Sequence, residues 1–116
     1  MTDIRRIIVC GSRGYQNRER VWQVLDEYVD DDPTIVTGAC GTGADRFAIE
    51  AGYGLGLEVE THPAEWDKYG NAAGPIRNRY MGALGAELLI AFGEGRGTNH
   101  MVSVAESREI PVRREA

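Results

Sequence analysis

An α/β domain built on a mostly parallel sheet of about five strands is what this chain predicts. Short apolar runs alternate along it with amphipathic stretches at helical spacing. The first run, Ile7-Ile8-Val9, is β-branched without interruption, as a strand buried on both faces should be. Glycine-bearing turns directly follow three of the apolar runs.

Taken in order, Arg6 to Cys10 reads as the first strand, broken by Gly11-Ser12-Arg13-Gly14. From Arg18 to Val29 the residues Val21, Trp22, Val24, Leu25, Tyr28 and Val29 recur at helical spacing. The run Asp30-Asp31-Asp32 with Pro33 ends that helix, although acids sit unfavourably at a helix C-terminus. Thr34 to Thr37 is a second strand, and a helix from about Ala44 to Tyr53 turns Phe47, Ala48 and Ala51 inward. Leu57 to Thr61 alternates apolar with acidic residues, which places a third strand near the sheet edge.

A polar, aromatic connector, His62 to Gly74, leads to a helix that starts at Pro75 and runs to about Leu84. Glu87 to Phe92 is a central strand. After the break at Gly93-Glu94-Gly95-Arg96-Gly97, Thr98 caps a helix to about Glu109, and Ile110 to Val112 forms the last strand. Arg113 to Ala116 is the one segment expected to be disordered.

Length and composition bound the rest. The 116 residues, 42% hydrophobic and 27% charged, suit one domain spanning residues 1–116. A net charge of −5 argues against a non-specific nucleic-acid binder, though not against a local basic cluster. Cys10 and Cys40 are too few for a disulfide scaffold, and whether they lie close is a geometric question. With neither a secretory signal before the first strand nor an apolar run of about 20 residues, the expectation is a cytoplasmic protein with no membrane contact.

In a parallel sheet, ligands sit beyond the carboxyl ends of the strands, where the strand order reverses. The three glycine turns therefore share one edge. Gly11, Ser12 and Arg13 offer backbone donors, a hydroxyl and a guanidinium, a set that suits phosphate or carboxylate oxygens; a plain tight turn is the competing reading. Gly38, Gly41 and Gly43 lead into a helix whose free N–H groups face the same edge. Asp45 either satisfies those donors or binds a ribose hydroxyl or base edge. The segment is neither a Walker loop nor the usual dinucleotide fingerprint.

Gly95, Gly97 and Thr98 form the third turn, with Thr98 capping the helix, touching a phosphate, or both. Successive helix residues face different directions, so Arg77, Asn78 and Arg79 cannot all reach one ligand. At least one of those arginines is an ordinary solvated charge. Trp66 and Tyr69 either stack on a base or pack as the connector's own small core. His62 and His100 have no metal-ligand spacing with the cysteines, so no metal and no cofactor are expected.

Gly11-Ser12-Arg13, Gly38-Ala39-Cys40-Gly41-Thr42-Gly43-Ala44-Asp45, Pro63-Ala64-Glu65-Trp66, Ala73-Gly74-Pro75-Ile76-Arg77-Asn78 and Ala91-Phe92 through Gly97-Thr98 follow one another in a family order. The set resembles the YspA-like branch of the SLOG superfamily over almost the whole chain. The resemblance implies a Rossmann-like three-layer fold and binding of a nucleotide or nucleotide-derived ligand by a sensor, carrier or sequestering module. It also implies a homodimer, to which the helix with Tyr80, Met81 and Leu84 could contribute, although those residues serve equally as core.

More distantly, the chain is similar to LOG-type phosphoribohydrolases and to DNA-processing members of the superfamily. Arg77-Asn78-Arg79-Tyr80-Met81 matches part of the hydrolase helix motif, and Gly95, Gly97 and Thr98 match part of its glycine motif. The glutamate of that motif falls on Met101, whose thioether can neither accept a proton nor stabilise developing positive charge. A nucleotide-processing hydrolase is thus the alternative, with Asp45 or Glu94 as the carboxylate and Arg77 as the charge stabiliser. Single-stranded DNA binding ranks below both.

Overall fold

The computed structural model describes residues 3–116. Five strands form one all-parallel sheet in the order β3-β2-β1-β4-β5: β1 (Arg6–Gly11), β2 (Thr34–Thr37), β3 (Val59–Thr61), β4 (Leu88–Phe92) and β5 (Val112–Glu115). The chain moves outward from β1 to one edge, then returns to β1 and builds toward the other edge. The strand order therefore reverses at the carboxyl ends of β1 and β4.

Both faces of β1 are buried, and its unbroken β-branched run follows from that. Ile7 and Val9 pack with Val21, Val24 and Leu25 of α1 (Arg18–Asp26) and with Ala44, Ala48 and Ala51 of α2 (Gly43–Gly54). The short helix α3 (Trp66–Tyr69) follows β3 and leads into the other layer. On that opposite face Ile8 and Cys10 pack with Met81 of α4 (Ala73–Leu84) and with Met101, Val104 and Ala105 of α5 (Arg96–Ser107). Register places Ile8 beside Val36 and Leu89, so each layer continues across the central strands. Among the described residues no helix is long and apolar enough to cross a membrane.

Several boundaries differ from expectation for identifiable reasons. Helix α1 stops at Asp26 rather than Val29, and a 3₁₀ turn at Val29–Asp31 follows, closed by Asp32 at a φ of 50°. Three consecutive acids would have crowded carboxylates against the helix's negative end. Strand β3 is shorter than expected, since Leu57 donates its N–H to Gly52 rather than to a strand partner; its place at the sheet edge is as expected. The connector holds α3 and a 3₁₀ turn at Gly70–Ala72, which feeds directly into α4. Pro75 is thus the third residue of α4, where a missing N–H still costs no intrahelical bond.

Thr98 is not the cap of α5. The helix begins at Arg96 with Gly95 as N-cap, and Thr98 is buried in its first turn. Nor is the C-terminal segment disordered. Strand β5 lies two residues later than read, after Pro111, while Ile110 plugs the core. Arg113 bonds to Glu27, Tyr28 and Glu115, Arg20 reaches Glu115 at 2.6 Å, and Tyr15 Oη donates to the Ala116 carbonyl at 2.9 Å. A Val-Arg-Arg-Glu sequence looks like a solvated tail, but its charges neutralise one another along an edge strand. Met81 is core, not interface, whereas Tyr80 and Leu84 are exposed.

Candidate functional site

Ser12 stands where three loops meet. Its N–H donates to the Phe92 carbonyl and its carbonyl accepts from Ala44 N–H, each at 3.3 Å. A Cβ at Gly43 would collide with the backbone of Ser12 and Arg13, and φ there is +69°, so only glycine lets the loops after β1 and β2 touch. A Cβ at Gly11 would likewise strike Ala44 and the Phe92 carbonyl. Gly95 approaches Ser12 from the third loop, its Cβ position 4.0 Å from Ser12 Cβ.

The glycines therefore divide by role. Gly11 and Gly43 serve loop-to-loop packing. Gly38 serves an arginine, because a Cβ there would run into the Arg77 guanidinium. Gly41 and Gly97 are exposed with nothing within 4 Å of a Cβ position, leaving room for another molecule beside their backbones.

Arg77 is held in place from several sides. Nη1 donates to the Gly38 carbonyl at 2.7 Å and the His62 carbonyl at 3.2 Å, and Nε donates to Asn78 Oδ1 at 2.9 Å. Asn78, buried, reaches Gly97 O at 3.4 Å and His100 Nδ1 at 3.1 Å through its amide nitrogen. It ties α4 to the loop before α5 and thereby positions Arg77. Burial lowers the Arg77 pKa from its ordinary value, and nearby Arg13 pushes the same way. Arg79, one residue past Asn78, is exposed, so of the arginines in that triplet only Arg77 joins the site.

Arg13 extends over the indole of Trp66, 5.6 Å from its centroid. Trp66 is 46% exposed and Tyr69 39%, so the connector does not bury its aromatics in a small core of its own. Asp45 is buried and accepts the Cys40 N–H at 3.1 Å. Burial pushes its carboxyl above the usual range, opposed by that hydrogen bond and by the charges of Arg77 and Arg13. Asp45 thus ties down its own loop instead of capping α2, whose N-cap Thr42 makes no side-chain cap bond; α5 starts equally bare. By contrast, Asn17 caps α1, taking Arg20 N–H at 3.2 Å.

The alternative catalytic candidates are scattered. Glu94 is exposed on the turn after β4, and Met101 lies wholly in the core. Cys10 and Cys40 are free thiols; burial raises the Cys10 pKa to about 12. No cluster of three or more metal-ligating side chains exists among the described residues.

At the Ser12 junction the three loops touch one another directly. A groove of about 490 Å³ runs beside Arg77, between the end of β3 and α4, lined by His62, Glu65, Tyr69, Ile76, Tyr80 and their neighbours. A smaller hollow of about 340 Å³ follows Ala64 to Lys68. Sequence reading weighed His62 only as a metal ligand and Tyr80 only as a motif or dimer residue, and did not place either of them, or Glu60, at a ligand site. Glu60 and His62 two positions apart on a strand, hence on one side of it, were the available signal.

The family model described as the YspA, cpYpsA-related SLOG family matches residues 5–69. The gene 61 protein of Mycobacterium phage D29 is 35% identical over 118 residues, covering 94% of each chain. Among solved structures, a molybdenum cofactor binding protein from the phototrophic bacterium Rippkaea orientalis superposes with a TM-score of 0.76 at 16% identity. That match covers 98% of this chain and 77% of the other. The C-terminal domain of a hydrogenase from Pyrococcus furiosus superposes with a TM-score of 0.58 at 13% identity, covering 99% and 94%. At these identities the structural likenesses speak to the Rossmann-like fold.

Proposed function

Because the chain belongs to the YspA, cpYpsA-related SLOG family, we propose that it binds a nucleotide or nucleotide-derived ligand, as a sensor, carrier or sequestering module. The anionic group of that ligand meets the carboxyl edge of the sheet. One observation carries the reading: Arg13 and Arg77 lie at that edge, and neither forms an ion pair with a carboxylate among the described residues.

Two guanidiniums close enough to repel one another are unfavourable in the absence of a counter-charge. Asp45 supplies part of it from beneath, but its hydrogen bond goes to Cys40 N–H and to neither arginine. The starts of α2 and α5, without side-chain caps, add N–H dipoles of the same sign, although Ala44 N–H is taken by the Ser12 carbonyl. Gly41 and Gly97 leave space beside those donors. Trp66, already stacked with Arg13, holds that guanidinium over the edge. The fold neighbour named for cofactor binding supports a ligand-binding role in general terms.

The geometry gives bond cleavage less support. A hydrolase needs a carboxylate that can accept a proton beside the scissile bond. Asp45 is buried and engaged, and the position of the hydrolase motif's glutamate is a core methionine, Met101. Net charge of −5 gives single-stranded DNA binding little support. A homodimer covering the exposed Leu84 end of α4 belongs to the same proposal, and a light-scattering mass of 12.8 kDa at high concentration would remove it.

Calorimetric titration with AMP, ADP-ribose and a cyclic nucleotide tests the binding reading. At least one should bind, with affinity falling as salt rises. Silence across all of them would sink it.

A further inference from the structure

The groove beside Arg77 has a chemistry of its own. His62, which lines it, is held from behind: its Nε2 meets Glu60 Oε2 at 2.7 Å, and Arg6 grips the same Glu60 in a two-pronged pair at 2.8 and 2.9 Å. Arg6 and His62 together hold the Glu60 carboxyl down at about 2, so it is ionised and accepts only. His62 Nε2 therefore carries the proton and donates it to Glu60. With Nε2 so engaged, the other ring nitrogen of His62, Nδ1, has no hydrogen-bond partner among the described residues. Its ring is steadied further by an edge-to-face contact with Tyr80 at 5.4 Å.

Around this imidazole the groove exposes aromatic surface. Tyr80 is 55% exposed and Tyr69 39%, and Ile76 shares the lining with them, while Lys68 Nζ lies 5.0 Å from the Tyr69 ring centroid. Isolated exposed tyrosines are ordinary, but these share one hollow. Arg77 lines the same hollow, and its Nη2 makes no hydrogen bond among the described residues, since Nη1 and Nε hold the three contacts it has. Glu65 adds an acceptor for N–H groups. A volume of about 490 Å³ falls within the range of small-molecule sites.

We propose that the groove between β3 and α4 is the seat of a flat, amino-bearing heteroaromatic ring, stacked against Tyr69 and Tyr80, read by His62 and Glu65, and carrying an anionic group that Arg77 meets. This rests on the anion-binding reading above and adds to it the ring's location and its donor pattern. Aromatic side chains accept any base on their faces, while the polar groups select among bases. A ring with an exocyclic amino group satisfies the Glu65 carboxylate; one with a carbonyl in its place leaves it unmatched.

Three probes distinguish the outcomes: AMP, IMP and ribose 5-phosphate, titrated into the whole chain by calorimetry and by amide NMR. The expected result is tighter binding of AMP than of the other two, with shifts at His62, Tyr69 and Tyr80. Tyr80→Ala should weaken AMP about tenfold and leave ribose 5-phosphate unchanged. Arg13→Ala, outside the groove, should weaken all three alike. Equal AMP affinity in the native chain, Tyr80→Ala and His62→Gln, with shifts confined to Ser12–Gly14, Gly41 and Gly97, would overturn the groove and leave the anion site standing. Absence of binding by every probe would remove both. Since Tyr80 is exposed, an unchanged far-UV spectrum and melting temperature should confirm that the variant folds.

Discussion

Five arginines of this chain fall into two groups that solve opposite problems. Arg6, Arg20 and Arg113 each sit within 3.0 Å of a carboxylate, and their charge is spent on joining elements. Arg6 ties β1 to β3, while Arg20 and Arg113 tie α1 to the last strand. Arg13 and Arg77, at the carboxyl edge, have an indole, backbone carbonyls and an amide for company instead. A carbonyl orients a guanidinium without cancelling its charge. The same side chain is thus a fastener in one region and a held but unneutralised cation in the other. The carboxylates are distributed accordingly, with Asp45 the one buried beside the edge and withheld from direct contact.

That contrast breaks most visibly by exchanging roles. Arg13→Ala should cost nucleotide affinity on the order of 10- to 100-fold, the worth of a charge-assisted contact, with little change in melting temperature. Titration and thermal melting on the same sample check both halves. Gly38→Ala should lower affinity somewhat less, by about tenfold, because its methyl displaces the Arg77 guanidinium without deleting it. Restoration by Arg77→Ala in that background would refute this account.

On the fastening side, Arg6→Ala should cost about 1–2 kcal/mol in urea unfolding and leave anion binding intact. The Glu60 carboxyl, held at about 2 against an unfolded value of roughly 4.3, gives the pH dependence its sign. Its contribution is complete above the unfolded value and is lost as pH falls from there toward 2. Glu60→Gln should therefore flatten the stability profile between about pH 5 and pH 2, as followed by circular dichroism. Glu60 is partly exposed, so the effect is modest.

The smallest effect concerns the thiols. Burial puts Cys10 at about 12, so iodoacetamide at neutral pH should spare it in the native state and modify Cys40. Bound ligand should slow the Cys40 reaction, since that loop carries Gly38 and Gly41. Mass spectrometry of the peptides reads both.

Where local pattern and tertiary demand coincided, the chain was legible from its residues. Ile7-Ile8-Val9 and Leu88-Leu89-Ile90 could only be central strands, since both faces of each needed apolar cover. The helix stop at Leu84 and the strand Thr34 to Thr37 were equally plain. The misread places were those where a distant partner decides. Val112–Glu115 becomes a strand because Glu27, Tyr28, Arg20 and β4 receive it. Gly95 rather than Thr98 heads α5 because Thr98 is needed inside.

The residues alone therefore determined the α/β class, the parallel order of elements and the gathering of glycine turns on one edge, since hydrophobic period and turn chemistry are local properties. Only the tertiary structure decided what each glycine is for, which arginine is neutralised, and that a groove opens beside α4. Those outcomes depend on which atoms approach across tens of residues, and no local spacing encodes that.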